Sequence, residues 1–397
     1  MTTPAGQQLP LLPRFDRSTL AELLPSIGAH LGVGRDLPAL DLPASDRYVL
    51  VLVDGLGWDV LQQSLSAAPY FAELFGGASR LTSAVPSTTA TSLTTLGTGL
   101  PPGRHGIVGY SFRDSADGQV FNALTWDTPQ SPEELQPHPT WFERISDAGP
   151  CCCAVVPERF DGSGLTRTGL RGQVVSGIVD EDDEDDRIVR TVEASRSADR
   201  TLVYVYERML DHTGHTLGVA HPAWRQQLTR IDSWVERLRT ALDDDVVLLV
   251  TGDHGMLDIP EERRVIMEDE PELIADVDQV GGEGRLRQLY TTDPASVANR
   301  WRLAMGDRAW VRTRDEAISE GWFGPDIDPA VLPRIGDVLV AMRDDWAAMT
   351  RTKPGEMGLV GMHGSLTPVE MYVPLLVDPG AAQWPAGWGS SGWGARG

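Results

Sequence analysis

The sequence predicts an α/β fold: a three-layer sandwich whose central, mostly parallel sheet is flanked by helices, with a cap-like subdomain inserted late in the chain. Two observations predict it. Short apolar runs recur at 47–53, 151–156, 201–206 and 246–251, without the alternation of a half-exposed strand, so they fit strands buried on both faces. Between them lie stretches with helical spacing, such as 59–75 and 224–242. Strand alternating with helix in this way is the pattern of a parallel sheet wrapped on both faces.

The elements follow in order. Thr19 and Glu22 have capping-box spacing, and Leu20, Leu23, Leu24 and Ile27 recur at helical intervals, so residues 1–46 read as an N-terminal helix and linker. The main α/β domain spans 47–378. Its first strand delivers Asp54-Gly55. In 224–242, Leu228, Ile231, Val235, Leu238 and Leu242 share one face. The runs 201–206 and 246–251 each end in a polar cluster, where open α/β sheets bind ligands, outside the carboxyl ends of the strands. From 257 to 362 the pattern loosens into short mixed segments, read as an insertion or cap-like region. Residues 379–397, rich in Gly, Ala and Trp, read as a disordered tail.

Composition removes several functions. The chain of 397 residues carries 34 Lys and Arg against 57 Asp and Glu, a net charge of −23. No binding of a nucleic-acid duplex is expected, because that requires clustered basic side chains. Lys353 is the only lysine, which excludes a P-loop, whose lysine must follow a glycine-rich turn. The three cysteines, Cys151, Cys152 and Cys153, are adjacent. They supply neither a disulfide framework nor the spaced pairs of a zinc knuckle. No signal-peptide pattern or membrane-spanning run is seen, so a cytoplasmic location is expected. Oligomeric state is not legible.

Polar clusters carry the chemistry. They are Asp54; Pro86-Ser-Thr-Thr89; Asp211-His-Thr-Gly-His215; Asp253-His254-Gly255; and His363-Gly364. Each has a plain structural reading when taken alone: a turn residue for Asp54, helix capping for the Ser/Thr stretch, an N-cap and a surface histidine for Asp211 and His215. Asp253 and His254 are the strongest single pair, since titratable groups directly after a core strand need a partner. Asp, His and hydroxyl together suit zinc or a similar divalent ion.

In combination these stretches resemble the alkaline phosphatase superfamily, and within it the type I phosphodiesterase and nucleotide pyrophosphatase branch. The matching segments are Val51-Leu-Val-Asp-Gly55, Val85-Pro-Ser-Thr-Thr89, Thr98-Gly-Leu-Pro-Pro-Gly-Arg-His-Gly-Ile107, Asp211 to His215, Gly252-Asp-His-Gly-Met256 and Gly361-Met-His-Gly364. The resemblance implies that 47–378 is an alkaline phosphatase-like catalytic domain with two divalent metal ions, zinc being the expected one. Asp54, Thr89, Asp253 and His254 would surround one ion, and Asp211, His215 and His363 the other. Thr89 would be the nucleophile, opening a helix through 96 and passing through a covalent phospho-threonine. The partner would be a small phosphate-ester substrate, and the function hydrolysis of phosphodiester or pyrophosphate bonds.

Departures from the family pattern bear on substrate. Where diesterases often place an Asn, this chain has Tyr110, and the Asn expected soon after the nucleophile is Ser92. Both are candidate substrate contacts. Arg104 and Arg113 read as surface ion pairs or phosphate helpers, and His105 as structural. The acidic run 180–186 reads as a solvated loop. His212 and His221 do not match ligand positions, and Trp322 and Phe323 read as core. A phosphomonoesterase or phosphotransferase on the same scaffold is the alternative function, and a non-catalytic metal-dependent binder of phosphoryl ligands a further one.

Overall fold

The run 47–53 forms β1 (Arg47–Val53), and six more strands join it in one sheet. In chain order they are β2 (Ser79–Thr82), β3 (Cys151–Pro157), β4 (Val174–Ile178), β5 (Thr201–Glu207), β6 (Val247–Thr251) and β7 (Tyr372–Asp378). Across the sheet they lie in the order β2-β7-β6-β1-β5-β3-β4. β7 is antiparallel to both neighbours, and the remaining pairs are parallel. The computed structural model describes residues 9–34 and 40–380. From 381 onward the tail expected at 379–397 lies outside the described residues.

Alternation along β1 builds the three layers. Val49, Val51 and Val53 face one side and pack with Phe71, Leu228, Ile231 and Trp234. Tyr48, Leu50 and Leu52 face the other, with Leu24, Ile27, Leu96 and Phe142. Burying each such aliphatic side chain contributes about 1.5–3 kcal/mol relative to exposure. β2, β4 and β7 were not legible because two are partly exposed edges and the third contains Pro374, which argues against a strand.

The helices form for the local reasons expected. Thr19 and Glu22 complete a capping box, with the Thr19 N–H donating to Glu22 Oε2 at 2.7 Å, ahead of α1 (Leu23–His30). The stretch 59–75 is two helices, Trp58–Ser64 and Pro69–Phe75, because Pro69 starts a new one. After β2 comes α2 (Thr89–Thr98), closed by Gly99 at φ +68°. After β5 comes α3 (Met209–Leu217), and then α4 (Pro222–Ala241), which His221 caps. Among the described residues no helix is long and apolar enough to cross a membrane.

Within 257–362 lies a second, antiparallel sheet, in the spatial order Gln279–Glu283, Leu286–Tyr290, Val338–Met342, Ala309–Thr313. Leu289, Val338 and Val340 pack on the helix Pro294–Met305 through Val297 and Trp301. Leu286, Trp310 and Leu339 pack on the other side with Ile107, Phe112, Phe121 and the buried Trp322 and Phe323. Arg285 ties this sheet to the main one: it grips Glu370 through Nε at 2.9 Å and a terminal nitrogen at 2.7 Å, both side chains fully buried.

α2 sits hard against its neighbour. A Cβ at Gly97 would lie 1.6 Å from the Gly169 carbonyl oxygen, whereas one at Gly76 would meet nothing within 4 Å. Gly97→Ala is therefore expected to lower unfolding stability by about 1–3 kcal/mol through overpacking, and Gly76→Ala to leave it unchanged or slightly raised. Urea unfolding of the two variants checks this; equal midpoints would contradict the packing described.

Candidate metal centre

Because β1 and β5 are in register from Arg47 against Thr201 to Val53 against Glu207, the residues that follow them leave the sheet at one level. Asp54 comes directly after β1, Asp211 sits in the first turn of α3, and Asp253 and His254 follow β6. His363 arrives from the segment ahead of β7, and Thr89 is the first residue of α2. All seven expected positions are thus brought to one place.

Their inward atoms converge. His254 Nε2 lies 3.2 Å from Thr89 Oγ1, 3.3 Å from Asp54 Oδ1 and 3.5 Å from Asp253 Oδ2. His215 Nε2 lies 3.4 Å from Asp211 Oδ2 and 3.2 Å from His363 Nε2, which is itself 3.9 Å from Asp211 Oδ1. The His254 and His363 rings stack with centroids 3.6 Å apart. Two sets have ligand atoms mutually within 4.8 Å: Asp211, His215 and His363, and Asp54, Asp211 and His254. Asp211 therefore faces both groups, rather than one as the sequence suggested.

The outward atoms are held by hydrogen bonds. His215 Nδ1 pairs with the Gly361 carbonyl at 2.8 Å, His363 Nδ1 with Ser87 at 2.8 Å and His254 Nδ1 with Gly255 at 3.1 Å. A carbonyl only accepts, so each Nδ1 carries the hydrogen and each ring points its Nε2 inward. The N–H groups of Gly55 and His254 each donate to Asp253 Oδ1 at 3.1 Å, and the Tyr206 hydroxyl donates to Asp54 Oδ2.

What remains is an uncompensated cluster of acceptors. Asp54 Oδ1, Asp211 Oδ1 and Asp253 Oδ2 are buried without a hydrogen-bond partner. Burial, then the charges of Asp253 and Asp211, holds the Asp54 carboxyl well above the usual carboxylate range, and burial raises Asp253. Burial, then the neighbouring imidazoles, keeps His363 well below its ordinary value. Orphaned oxygens facing imidazole nitrogens fit divalent cations, which would satisfy both.

A cavity of about 640 Å³ opens over this cluster, with Thr89, Asp54, Asp211, His215 and His363 in its lining. Tyr110 also lines it, its hydroxyl donating to Glu356. Ser92 does not. It is fully buried and pairs with Ser83 at 2.8 Å, and Ser83 in turn donates to the Asp253 carbonyl, so the expected substrate contact is corrected to a support beneath the site. Arg113 lies over the Tyr290 ring at 4.1 Å. His105 is structural: buried, bonded to Thr95 at 2.9 Å and pushed by burial down to about 3. The acidic run is partnered rather than only solvated, since Arg230 binds Asp182 and Glu184.

Sequence reasoning passed over several cavity residues. His212 and Arg208 line it, as do Phe160, Tyr206, Glu283, Lys353 and Glu356. Glu283 is held well above the carboxylate range by burial, then by the charge of Glu356, and its Oε1 has no partner. Of these Lys353 carried a signal as the single lysine, and His212 through its place between Asp211 and His215.

The type I phosphodiesterase / nucleotide pyrophosphatase family model matches residues 48–366. A stretch of 47 residues, 12% of the chain, is 47% identical to GPI ethanolamine phosphate transferase 3 of Schizosaccharomyces pombe, of which it spans 5%. The catalytic subunit from Homo sapiens matches at 40% identity over 47 residues, 12% of this chain and 4% of that protein. Among solved structures, murine ectonucleotide pyrophosphatase / phosphodiesterase 5, an inactive variant in complex with AMP, aligns with TM-score 0.68 and 18% identity over 83% of this chain and 87% of that one. Phosphonoacetate hydrolase from Sinorhizobium meliloti 1021, in complex with phosphonoformate, aligns with TM-score 0.65 and 18% identity over 85% and 90%. At these identities the two share the fold.

Zinc added to metal-free protein is expected to raise the melting temperature, by about 2.7 kcal/mol of stability at a hundred times the dissociation constant. Asp54→Asn is expected to act with opposite signs, stabilising metal-free protein by removing one of the crowded charges and weakening the zinc-induced gain. Calorimetry with and without zinc checks both. A variant that melts like the parent in each condition would contradict the charge crowding.

Proposed function

The chain belongs to the type I phosphodiesterase / nucleotide pyrophosphatase family, and from that premise we propose that it hydrolyses phosphodiester or pyrophosphate bonds with Thr89 as nucleophile. The observation that carries this reading is the position of Thr89: its hydroxyl stands 3.2 Å from His254 Nε2, beside carboxylate oxygens with no partner. Asp54, Thr89, Asp253 and His254 would hold one divalent cation and Asp211, His215 and His363 another, with Asp211 turned toward both. Imidazole and carboxylate donors favour zinc. Two such cations supply charge stabilisation at the phosphoryl oxygens.

The chain's own residues do the rest. The first N–H groups of α2 have no intrahelical partner and lie at the positive end of a ten-residue helix, so they favour an anionic phosphoryl group at Thr89. The Oγ1–P bond forms as the bond from phosphorus to the departing oxygen breaks, and the Thr89 hydroxyl proton ends on that departing oxygen. Water then attacks the phospho-threonine from the vacated side, and Thr89 is released with its proton restored. Tyr110, whose hydroxyl is committed to Glu356, would meet substrate through its ring. Residues 257–362 act as the cap of this site. Transfer to an acceptor other than water is the second reading, favoured by the short match to ethanolamine phosphate transferases.

Bis(p-nitrophenyl) phosphate is the direct probe. Cleavage is expected with zinc present, to be lost on chelation, and to fall by about a thousandfold or more in Thr89→Ala. Full activity of that variant would remove Thr89 from the chemistry.

A further inference from the structure

In a chain of net charge −23 with a single lysine, the position of that lysine is informative. Lys353 lines the same cavity as Thr89 and His363. Its Nζ donates to the Ser111 hydroxyl at 2.6 Å and lies 5.1 Å from the centre of the Tyr110 ring. Neither partner is an anion. Glu356, the carboxylate that attracts it most, is already committed, gripped by both terminal nitrogens of Arg287 and by the Tyr110 hydroxyl. Glu283 is pushed toward its neutral form by burial. An ammonium offers three donors, and here one is used.

Burial pulls Lys353 down to about 8, so it is still mostly charged at neutral pH. A half-buried cation whose direct partners are neutral and whose strongest carboxylate, Glu356, is already gripped by Arg287 gains from an anion that joins it. The same cavity offers an apolar surface from Leu93, Phe160, Leu165 and Tyr206, and at about 640 Å³ it holds far more than a phosphoryl group.

We propose that Lys353 is a specificity-determining residue, binding a second anionic group, a carboxylate or a phosphate, on the organic part of the ester. This rests on the phosphodiesterase reading above and names its substrate class: esters with an apolar body and a second negative charge.

The test uses zinc-loaded full-length enzyme and p-nitrophenyl phosphodiesters whose other arm is ethyl, 2-carboxyethyl or 2-phosphoethyl. An anionic arm is expected to raise kcat/KM over ethyl by about tenfold or more, the scale of one charge-assisted hydrogen bond. Lys353→Met is expected to bring that ratio close to one, and Lys353→Arg to keep most of it. A ratio taken within one preparation is independent of how much of the variant folds. Whichever anionic arm is faster identifies the group. A ratio near one in the parent, or a ratio unchanged in Lys353→Met, overturns the proposal while leaving the hydrolase reading in place. No cleavage of any arm overturns that reading, and this proposal with it.

Discussion

Three carboxylates and three imidazole Nε2 atoms meet in one buried place, and the rest of the structure is arranged around that crowding. Asp54, Asp211 and Asp253 carry like charge into a site where burial strengthens repulsion. No side chain of the cluster offers a donor to the orphaned oxygens. The hydrogen bonds from outside the cluster fall on the outward atoms, from Gly55, His254 and Tyr206 to the aspartates and from the histidine Nδ1 atoms to backbone carbonyls. They orient the ligands without relieving the charge. Cations held there would relieve it, and would also make the crowded acceptors attractive to phosphate.

Holding such a cluster requires rigid support from several elements. The parallel register of β1 with β5 and β6 sets three of the ligand-bearing turns at one level. The fourth, carrying His363, is fixed by Glu370, which binds Arg285 of the inserted sheet and takes the Gly255 N–H on its carbonyl at 2.8 Å. One buried ion pair thereby couples the inserted sheet to the turn that carries Asp253 and His254. Breaking such a pair costs several kcal/mol because the surviving charge is left without a partner. The cavity wall and the acidic cluster are therefore one mechanical unit.

Much of this was legible in the sequence, for physical reasons. Strands buried on both faces leave continuous apolar runs, and ligands at strand ends leave Asp and His immediately after them, so β1, β5 and β6 and their polar clusters could be read directly. Edge strands and the proline-bearing β7 have no such pattern. Ser92 was misplaced because sequence spacing does not tell which way a residue on α2 faces; the structure turns it inward to Ser83. Of the cavity wall only Tyr110 was read as such, because Glu283, Lys353 and Glu356 are distant from it in sequence and meet it only through the packing of the segment 107–121 on the inserted sheet.

The central claim is that Thr89 is the atom donor to phosphorus, and mass spectrometry of acid-quenched enzyme tests it most directly. Zinc-loaded protein turning over bis(p-nitrophenyl) phosphate should yield a Thr89-containing peptide heavier by one p-nitrophenyl phosphoryl group. Turnover with Thr89 unmodified, or with the adduct on another side chain, would contradict the account.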